Sequence, residues 1–320
     1  MARYVLQRLA SLLFIVFAIT VFCFLLVHLL PGDPTALILG TSDNAHNRAI
    51  LDAQLGLNKP ILEQYFIWLG NVLHGNLGIS QTSGASVNSI IRQSLKIDVE
   101  LIIYSQLIAF AVAIPLAVYA ARRSGGVLDQ SSTSVTFAFY CLPSFVLILW
   151  LVQLLCFHWP HLPGPGSDPF QTGSSWFAEI GNNLKVMLLP SVVLAIGSIA
   201  LYYRLLRSEM VFTLQEEFIT VARSKGLTTN KILWRHALRP SSITLLTSTG
   251  NSIALLVTGL FIVEDKMDLH GIGYQLNTAI GSLDYLTVQG IALVTAVIVV
   301  VVNFIIDIIT TFLDPRIARA

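Results

Sequence analysis

Apolar residues along this chain are gathered into six runs of roughly 20 residues, with polar residues collected between them. A helix rises about 1.5 Å per residue, so each run is long enough to cross the roughly 30 Å hydrocarbon layer of a bilayer. The pattern predicts an all-α, polytopic membrane protein with transmembrane helices at Leu9–Leu30, Val99–Ala120, Thr133–Phe157, Val186–Leu206, Ile243–Val263 and Gly290–Phe312.

The first run follows Arg3 and Arg8, an arrangement that also occurs in cleaved signal peptides. Its apolar core is longer than that of an ordinary signal sequence, and no small-residue cleavage site precedes the Pro31–Pro34 segment. We therefore interpret the run as a retained anchor that leaves the membrane at Pro31–Pro34.

Composition and charge agree with a membrane protein. Hydrophobic residues make up 54% of the chain and charged residues only 12%, about half the charged share of a soluble domain. Most Arg and Lys residues fall before the first run, between the second and third, between the fourth and fifth, and after the sixth. The positive-inside rule places these segments, and both termini, in the cytoplasm. The net charge of +1 argues against a nucleic-acid partner.

These boundaries predict a cytoplasmic N-terminus (1–8), a first helix (9–30), an external segment (31–98), a five-helix core (99–312) and a cytoplasmic tail (313–320). Within the external segment, apolar residues at helical spacing predict short helices at Leu51–Leu57 and Pro60–Leu73. Tyr65 and Trp68 fit either an interfacial aromatic anchor or a partner contact.

Two further stretches predict irregular backbone. Gly75–Gly78 has the composition of a turn. His158–Asn183 is rich in proline and glycine, which predicts a long irregular connection.

The polar segment Arg207–Arg239, here called the polar hairpin, is far longer than two neighbouring spans need. Gly226 can stop a first helix and Thr228 can cap a second one, so the segment predicts a helix, a glycine turn and another helix. Four residues of the first helix are predicted to share one face: Phe218, Val221, Ala222 and Lys225.

A basic hairpin of this kind fits either adhesion to anionic lipid or insertion into a groove of a partner protein. The small residues Ala222, Ser224 and Gly226 favour the groove because they permit close backbone approach, whereas lipid adhesion is better served by bulky apolar side chains. We predict that the polar hairpin is a docking surface.

Thr220-Val221-Ala222 followed by Gly226 resembles the EAA motif of binding-protein-dependent ATP-binding cassette (ABC) importers, with Thr220 and Val221 replacing the usual Glu and first Ala. Leu238 matches the motif's later Leu, and Pro240 lies one place beyond its usual Pro. The run Glu217–Leu227 is similar to the variant in dipeptide, oligopeptide and nickel permeases, as are Leu30–Pro34, Leu55–Pro60, Gly75–Gly78, Leu142–Phe145, Gly271–Gly273, Asp284-Tyr285 and Leu313–Arg316.

The resemblance implies the type I ABC importer permease fold and a bacterial inner-membrane subunit without catalytic residues, metal site or cofactor. The partners it implies are a second, homologous permease, two cytoplasmic ATPase subunits that bind ATP and magnesium, an extracytoplasmic solute-binding protein, and membrane lipid. The chain contains no G-x-x-x-x-G-K-[ST] phosphate loop, in agreement with an energy source elsewhere. The residues that the resemblance places against the ATPases are Glu217, Thr220, Val221, Ala222, Arg223, Lys225, Gly226 and Leu227.

The chain departs from the family after the fifth run, where His270 replaces the usual proline. Acidic residues around this position fit either an altered external gate with a preference for cationic solutes or a solvated turn. A proline inside the third run adds a second candidate, because it frees carbonyls that must face protein or a cavity. The candidate gate or pathway residues are Pro143, Ser144, Glu264, Asp265, Asp268 and His270.

The alternatives to an importer are an enzyme, an ion-coupled secondary transporter and a membrane scaffold. The chain has no G-x-S-x-G, H-E-x-x-H or clustered Cys/His pattern that would support catalysis. An ion-coupled secondary transporter would show inverted repeats and midplane charges, and a membrane scaffold would transport nothing. Short peptides are the substrate expected from the family's dominant use, nickel or metal chelates are the alternative, and selectivity is expected to lie largely in the binding protein.

Overall fold

A computed structural model describes residues 2–29, 46, 58–158, 162–170 and 176–313. Across these ranges the backbone is helical apart from turns and one isolated antiparallel bridge between Ile79 and Ser86. The prediction of an all-α protein is confirmed.

The helices are α1 (Ala2–Leu29), α2 (Ile61–Leu73), α3 (Val87–Arg122), α4 (Val127–Cys141), α5 (Ser144–Val152), α6 (Trp176–Thr213), α7 (Glu217–Ser224), α8 (Thr229–Lys231), α9 (Leu238–Met267), α10 (Ile272–Gly281) and α11 (Tyr285–Leu313). A π-helical segment, Gln153–His158, continues α5, and another, Ile232–Ala237, joins α8 to α9.

Within the described residues, four helices are long and apolar enough to cross a membrane, in α1, α3, α6 and α11. Two bent pairs satisfy the same criterion if each pair counts as one span, which gives up to six spans. One pair, Val127–Cys141 and Ser144–His158, bends by 96°, and the other, Thr229–Val257 and Gly259–Met267, bends by 51°.

Several helices extend beyond the apolar runs that predicted them, because the hydrogen bonds of a helix do not depend on apolar side chains. Helix α3 begins at Val87 rather than Val99. Helix α6 begins at Trp176, so the irregular connection predicted up to Asn183 is wrong for its last residues. The predicted helix Leu51–Leu57 lies outside the described residues.

The chain divides into two compact units. The first comprises Met1–Ile97 and His270–Val301, and the second comprises Asp98–Leu269 and Val302–Ala320. Each unit has a buried hydrophobic cluster of its own.

In the first unit, α1 and α2 pack through aromatic side chains. The Phe24 and Tyr65 rings meet edge to face with centroids 5.4 Å apart, and Trp68 lies 5.8 Å from Phe24. The hydroxyls of Thr20 and Tyr65 are 2.9 Å apart. Tyr65 is therefore an internal packing residue, and both roles predicted for it from the sequence are wrong.

The same unit contains a cluster in which α3, α10 and α11 meet around Val87, Ile91, Ile272 and Ile291. The close approach depends on Gly290, because a Cβ at this position would lie 2.6 Å from Cγ1 of Val87.

In the second unit, α6 packs most extensively against α9, and also against α4 and α5. Helices α3 and α6 share a buried polar group, in which the Tyr202 hydroxyl donates to Oε1 of Gln106 at 2.5 Å and Nε2 of Gln106 donates to Oγ of Ser198 at 3.4 Å. Such hydrogen bonds satisfy polar side chains between membrane helices. The surrounding apolar cluster includes Ala109, Ala113, Ala117, Leu206 and Met210 and extends into the polar hairpin.

Candidate functional site

The polar hairpin is formed as the sequence predicted. Helix α7 ends at Ser224, a short turn follows, and α8 leads through the π-helical segment Ile232–Ala237 into α9. Thr228 occupies the N-cap position of α8, but its side chain makes no capping hydrogen bond, so the predicted role of its hydroxyl is wrong.

The turn of the polar hairpin is a Schellman motif centred on Gly226. The Gly226 N–H donates to the carbonyl of Arg223 at 2.9 Å, and the Leu227 N–H donates to the carbonyl of Ala222 at 3.3 Å. Gly226 has φ +75°, a left-handed conformation that suits glycine. A Cβ built there meets no described atom within 4 Å, so backbone conformation rather than packing within the chain requires this glycine.

One face of α7 is buried against the second unit. Ile219 is 1% exposed and Ala222 is 6% exposed, and both belong to the cluster that contains Ile232 and Leu233. Ala222 is therefore small because it packs against its own chain, which corrects the prediction that it makes room for a partner. Of the four residues predicted to share a face, Val221 is exposed while Ala222 is buried, so this face is divided between the outer surface and the core.

The outer surface of the polar hairpin combines apolar and cationic side chains. Phe218 and Val221 are about half exposed, and Trp234 is held by an edge contact with Tyr119 at a centroid distance of 6.1 Å. Both occupants weighed from the sequence, a protein groove and anionic lipid, would find suitable side chains here. Of the predicted ATPase-contacting residues, Glu217, Thr220, Val221, Arg223, Lys225 and Gly226 are exposed, Leu227 is half-buried and Ala222 is buried.

An ion pair at the base of the polar hairpin was missed by the sequence analysis. Nη2 and Nε of Arg207 on α6 contact the two carboxylate oxygens of Asp129 on α4 at 2.6 and 3.0 Å. The Gly125 N–H donates to Asp129 at 2.8 Å, and the Tyr203 hydroxyl lies 3.3 Å from it. Asp129 and Arg207 are 78 positions apart, so no local pattern could have revealed the pair.

We expect Asp129→Asn to destabilise the protein by about 1–3 kcal/mol, since it leaves the partly buried Arg207 without its counter-ion. The midpoint of thermal unfolding in detergent should fall. The control is Asp265→Asn, which breaks the more exposed pair with Lys266 and should change stability by about 0.5 kcal/mol or less. Equal midpoints for the two variants would contradict a structural role for the Asp129–Arg207 pair.

The first part of the predicted gate lies at the sharp bend between α4 and α5. Pro143 occupies the N-cap position of α5, and its carbonyl accepts hydrogen bonds from the N–H groups of Val146 and Leu147 at 3.0 and 3.1 Å. Pro143 is exposed and Ser144 is half-buried. A break inside a span frees backbone groups that must face protein or a water-filled path, so the predicted gate role of these residues stays a prediction.

The acidic residues of the predicted gate, Glu264, Asp265 and Asp268, lie at the C-terminal end of α9. Helix α9 continues to Met267, and Glu264 on it is completely buried, so a solvated turn is wrong for this residue. Asp265 is paired with Lys266 at 2.7 Å. Asp268 ends α9 in a left-handed conformation.

His270 belongs to the other compact unit and is exposed, with its ring against Tyr274 at 4.9 Å. A gate role for His270, as for the acidic residues before it, stays a prediction. In the part of the chain that the structure describes, no group of three or more His, Cys, Asp or Glu side chains is arranged to hold a metal ion.

Comparison with known protein families decides among the functional classes. A family model described as the inner membrane component of binding-protein-dependent transport systems matches residues 113–319, and the model of the family's N-terminal region matches residues 1–98. The chain belongs to the binding-protein-dependent ABC transport permeases. This permease is a multi-pass inner-membrane subunit with the type I importer fold, rather than an ion-coupled secondary transporter or a scaffold.

Individual relatives are similar to the permease along its whole length. The probable peptide ABC transporter permease protein y4tP of Sinorhizobium fredii is 31% identical over 318 residues. The dipeptide transport system permease protein DppB of Escherichia coli is 32% identical over 336 residues, and the oligopeptide transport system permease protein AppB of Bacillus subtilis is 30% identical over 318 residues. Each similarity covers 99% of both chains, which confirms the resemblance inferred from the motifs.

Proposed function

We propose that this permease forms half of the translocation pathway of an ATP-driven importer for short peptides. The observation that carries the proposal is similarity over 99% of both chains to permeases named for peptide, dipeptide and oligopeptide transport. A second, homologous permease completes the pathway, and an extracytoplasmic binding protein delivers the peptide. Both termini lie in the cytoplasm, in keeping with the distribution of Arg and Lys.

In this proposal the permease binds no cofactor and has no catalytic role, and two cytoplasmic ATPase subunits bind ATP and magnesium. Grooves in the ATPases receive the polar hairpin. Movement of the grooves on ATP binding is carried by α7, whose residues Ile219 and Ala222 share one buried cluster with α6. A ligand shifts a conformational equilibrium only through its differential affinity, so the loaded binding protein must prefer one state of the permease.

The substrate class is tested by uptake into proteoliposomes that contain the complete importer with its binding protein. We expect labelled dipeptides or short oligopeptides to accumulate only when ATP is present. An importer with a hydrolysis-deficient ATPase is the control and should accumulate nothing. Uptake of nickel or a metal chelate without peptide uptake would contradict the peptide assignment while leaving the importer class intact.

A further inference from the structure

A short loop between α2 and α3 is held in one shape by its own backbone. This segment, Gly75–Ser86, is here called the outer loop. The N–H of Ser80 donates to the carbonyl of Ala85 at 2.8 Å, and the N–H of Val87 donates to the carbonyl of Gly78 at 3.0 Å. The side chain of Asn88, on the first turn of α3, also binds the loop. Its Oδ1 accepts a hydrogen bond from the Leu77 N–H at 3.0 Å, and its Nδ2 donates one to the Gly75 carbonyl.

A buried carboxylate ties the outer loop to the start of α11. Asp284 is 1% exposed, and its Oδ2 accepts hydrogen bonds from the hydroxyls of Ser80 at 2.5 Å, Thr82 at 3.2 Å and Thr287 at 2.9 Å. Ser80 and Asp284 are 204 positions apart in the sequence. Two of the three hydroxyl donors therefore come from the outer loop, so the carboxylate fixes the loop rather than its own helix alone.

The hydrogen bonds keep this buried group charged. Burial alone raises the pKa of Asp284, but hydrogen bonds from Ser80, Thr287 and the Gln81 backbone outweigh burial and hold the pKa below its ordinary value. Asp284 is therefore an acceptor for the outer loop at neutral pH. An unpaired charge at this depth would be strongly destabilising, so the loop and the carboxylate depend on each other.

The surface that the outer loop presents is suited to a protein partner. Thr82, Ser83 and Gly84 are exposed, and Ile79 is 62% exposed. The loop contains no Asp, Glu, Lys or Arg. Charged residues are depleted at the centres of protein interfaces, whereas recognition of anionic lipid needs Lys or Arg, so the composition favours a protein.

We propose that Asp284 is a positioning residue for transport, which holds the outer loop as a surface on which the loaded binding protein docks. The inference rests on the proposed function, in which the segment between α1 and α3 faces the side where that protein resides. A preformed loop lowers the entropic cost of docking, because its backbone is ordered before the partner arrives. Asp284 itself touches neither the solute nor the binding protein.

The test uses the complete reconstituted importer and measures ATP hydrolysis as a function of the concentration of loaded binding protein. The Asp284→Asn variant should need at least five times more binding protein for half-maximal stimulation, because an amide oxygen cannot accept all of the carboxylate's hydrogen bonds. The maximal rate and the hydrolysis rate without binding protein should stay unchanged. Ser80→Ala should shift the half-maximal concentration in the same direction and by less.

Two further variants show whether the shift comes from the contact between Ser80 and Asp284 or from the loss of any carboxylate in this unit. Glu63→Gln removes an exposed carboxylate that pairs with Lys59 at 2.8 Å in the same unit, and should leave the half-maximal concentration unchanged. Combining Ser80→Ala with Asp284→Asn should produce a shift smaller than the product of the two single shifts, as expected for residues that act through one contact. If Asp284→Asn does not fold, Ser80→Ala carries the test alone.

An unchanged half-maximal concentration in both Ser80→Ala and Asp284→Asn would overturn the inference. A lower maximal rate at an unchanged half-maximal concentration would also overturn it, since the loop would then serve assembly with the second permease. If loaded binding protein fails to stimulate even the wild-type importer, the proposed function itself fails, which distinguishes the two failures.

Discussion

Gly226→Val is expected to lower ATP-driven uptake at least ten-fold while membrane insertion stays intact. Gly226 has φ +75°, and a β-branched residue in the left-handed region costs roughly 1–3 kcal/mol. The hydrogen bonds of the Schellman turn would be lost, and α7 would no longer have the shape that, in the proposed importer, fits the ATPase groove. The measurements are the amount of permease in the membrane, ATP-driven uptake and stimulated ATP hydrolysis.

Gly226→Asn is the matched control at the same position. Asparagine tolerates the left-handed conformation, and the site has open space for a Cβ, so this variant should keep most of its uptake. If Asn and Val abolish uptake equally, the glycine is required for close approach of a partner. Normal uptake in Gly226→Val would contradict the docking role of the polar hairpin.

Gly290→Val is expected to destabilise the first unit by about 2 kcal/mol or more. A Cβ at Gly290 would lie 2.6 Å from Cγ1 of Val87 and 3.6 Å from both Cδ1 of Ile91 and Cβ of Leu77. Overpacking of a close-packed core typically costs about 1–3 kcal/mol, and the two further methyl groups of valine add to the clash. The midpoint of thermal unfolding in detergent and the amount of assembled importer should both fall.

Gly197→Ala provides the comparison for Gly290→Val. Gly197 also lies inside a membrane-crossing helix, α6, but a Cβ there meets no described atom within 4 Å. Alanine is the better helix former, so this variant should be at least as stable as the wild type. A Gly290→Val protein that unfolds at the wild-type midpoint would show that α3 and α11 do not pack as described.

The sequence predicted the helical class and the position of the polar hairpin because both depend on local patterns. Runs of apolar residues mark spans directly, and Gly226 followed by Leu227 and Thr228 marks a helix stop. The proline inside the third run was likewise recognised from local chemistry, because Pro143 has no N–H to donate within a helix, although the span was predicted as continuous from Thr133 to Phe157 and the break after Cys141 was not. These features need no information about distant parts of the chain.

Contacts between distant residues could not be predicted. The pairing of Asp129 with Arg207 and of Asp284 with Ser80 depends on how helices pack, and nothing near these residues in the sequence indicates it. The buried face of α7 was also missed, because helical spacing shows which residues share a face but not which face meets the core. Glu264 was predicted to lie beyond the fifth helix because the apolar run ends at Val263, whereas α9 continues to Met267.

We propose that this permease transports only when partner ATPases drive it through the polar hairpin. The most direct measurement compares solute accumulation in proteoliposomes that hold the complete importer with accumulation in proteoliposomes that hold the permease alone, under ATP and under proton or sodium gradients. We predict accumulation only in the complete importer and only with ATP. Accumulation by the permease alone on an ion gradient would contradict its dependence on ATPases.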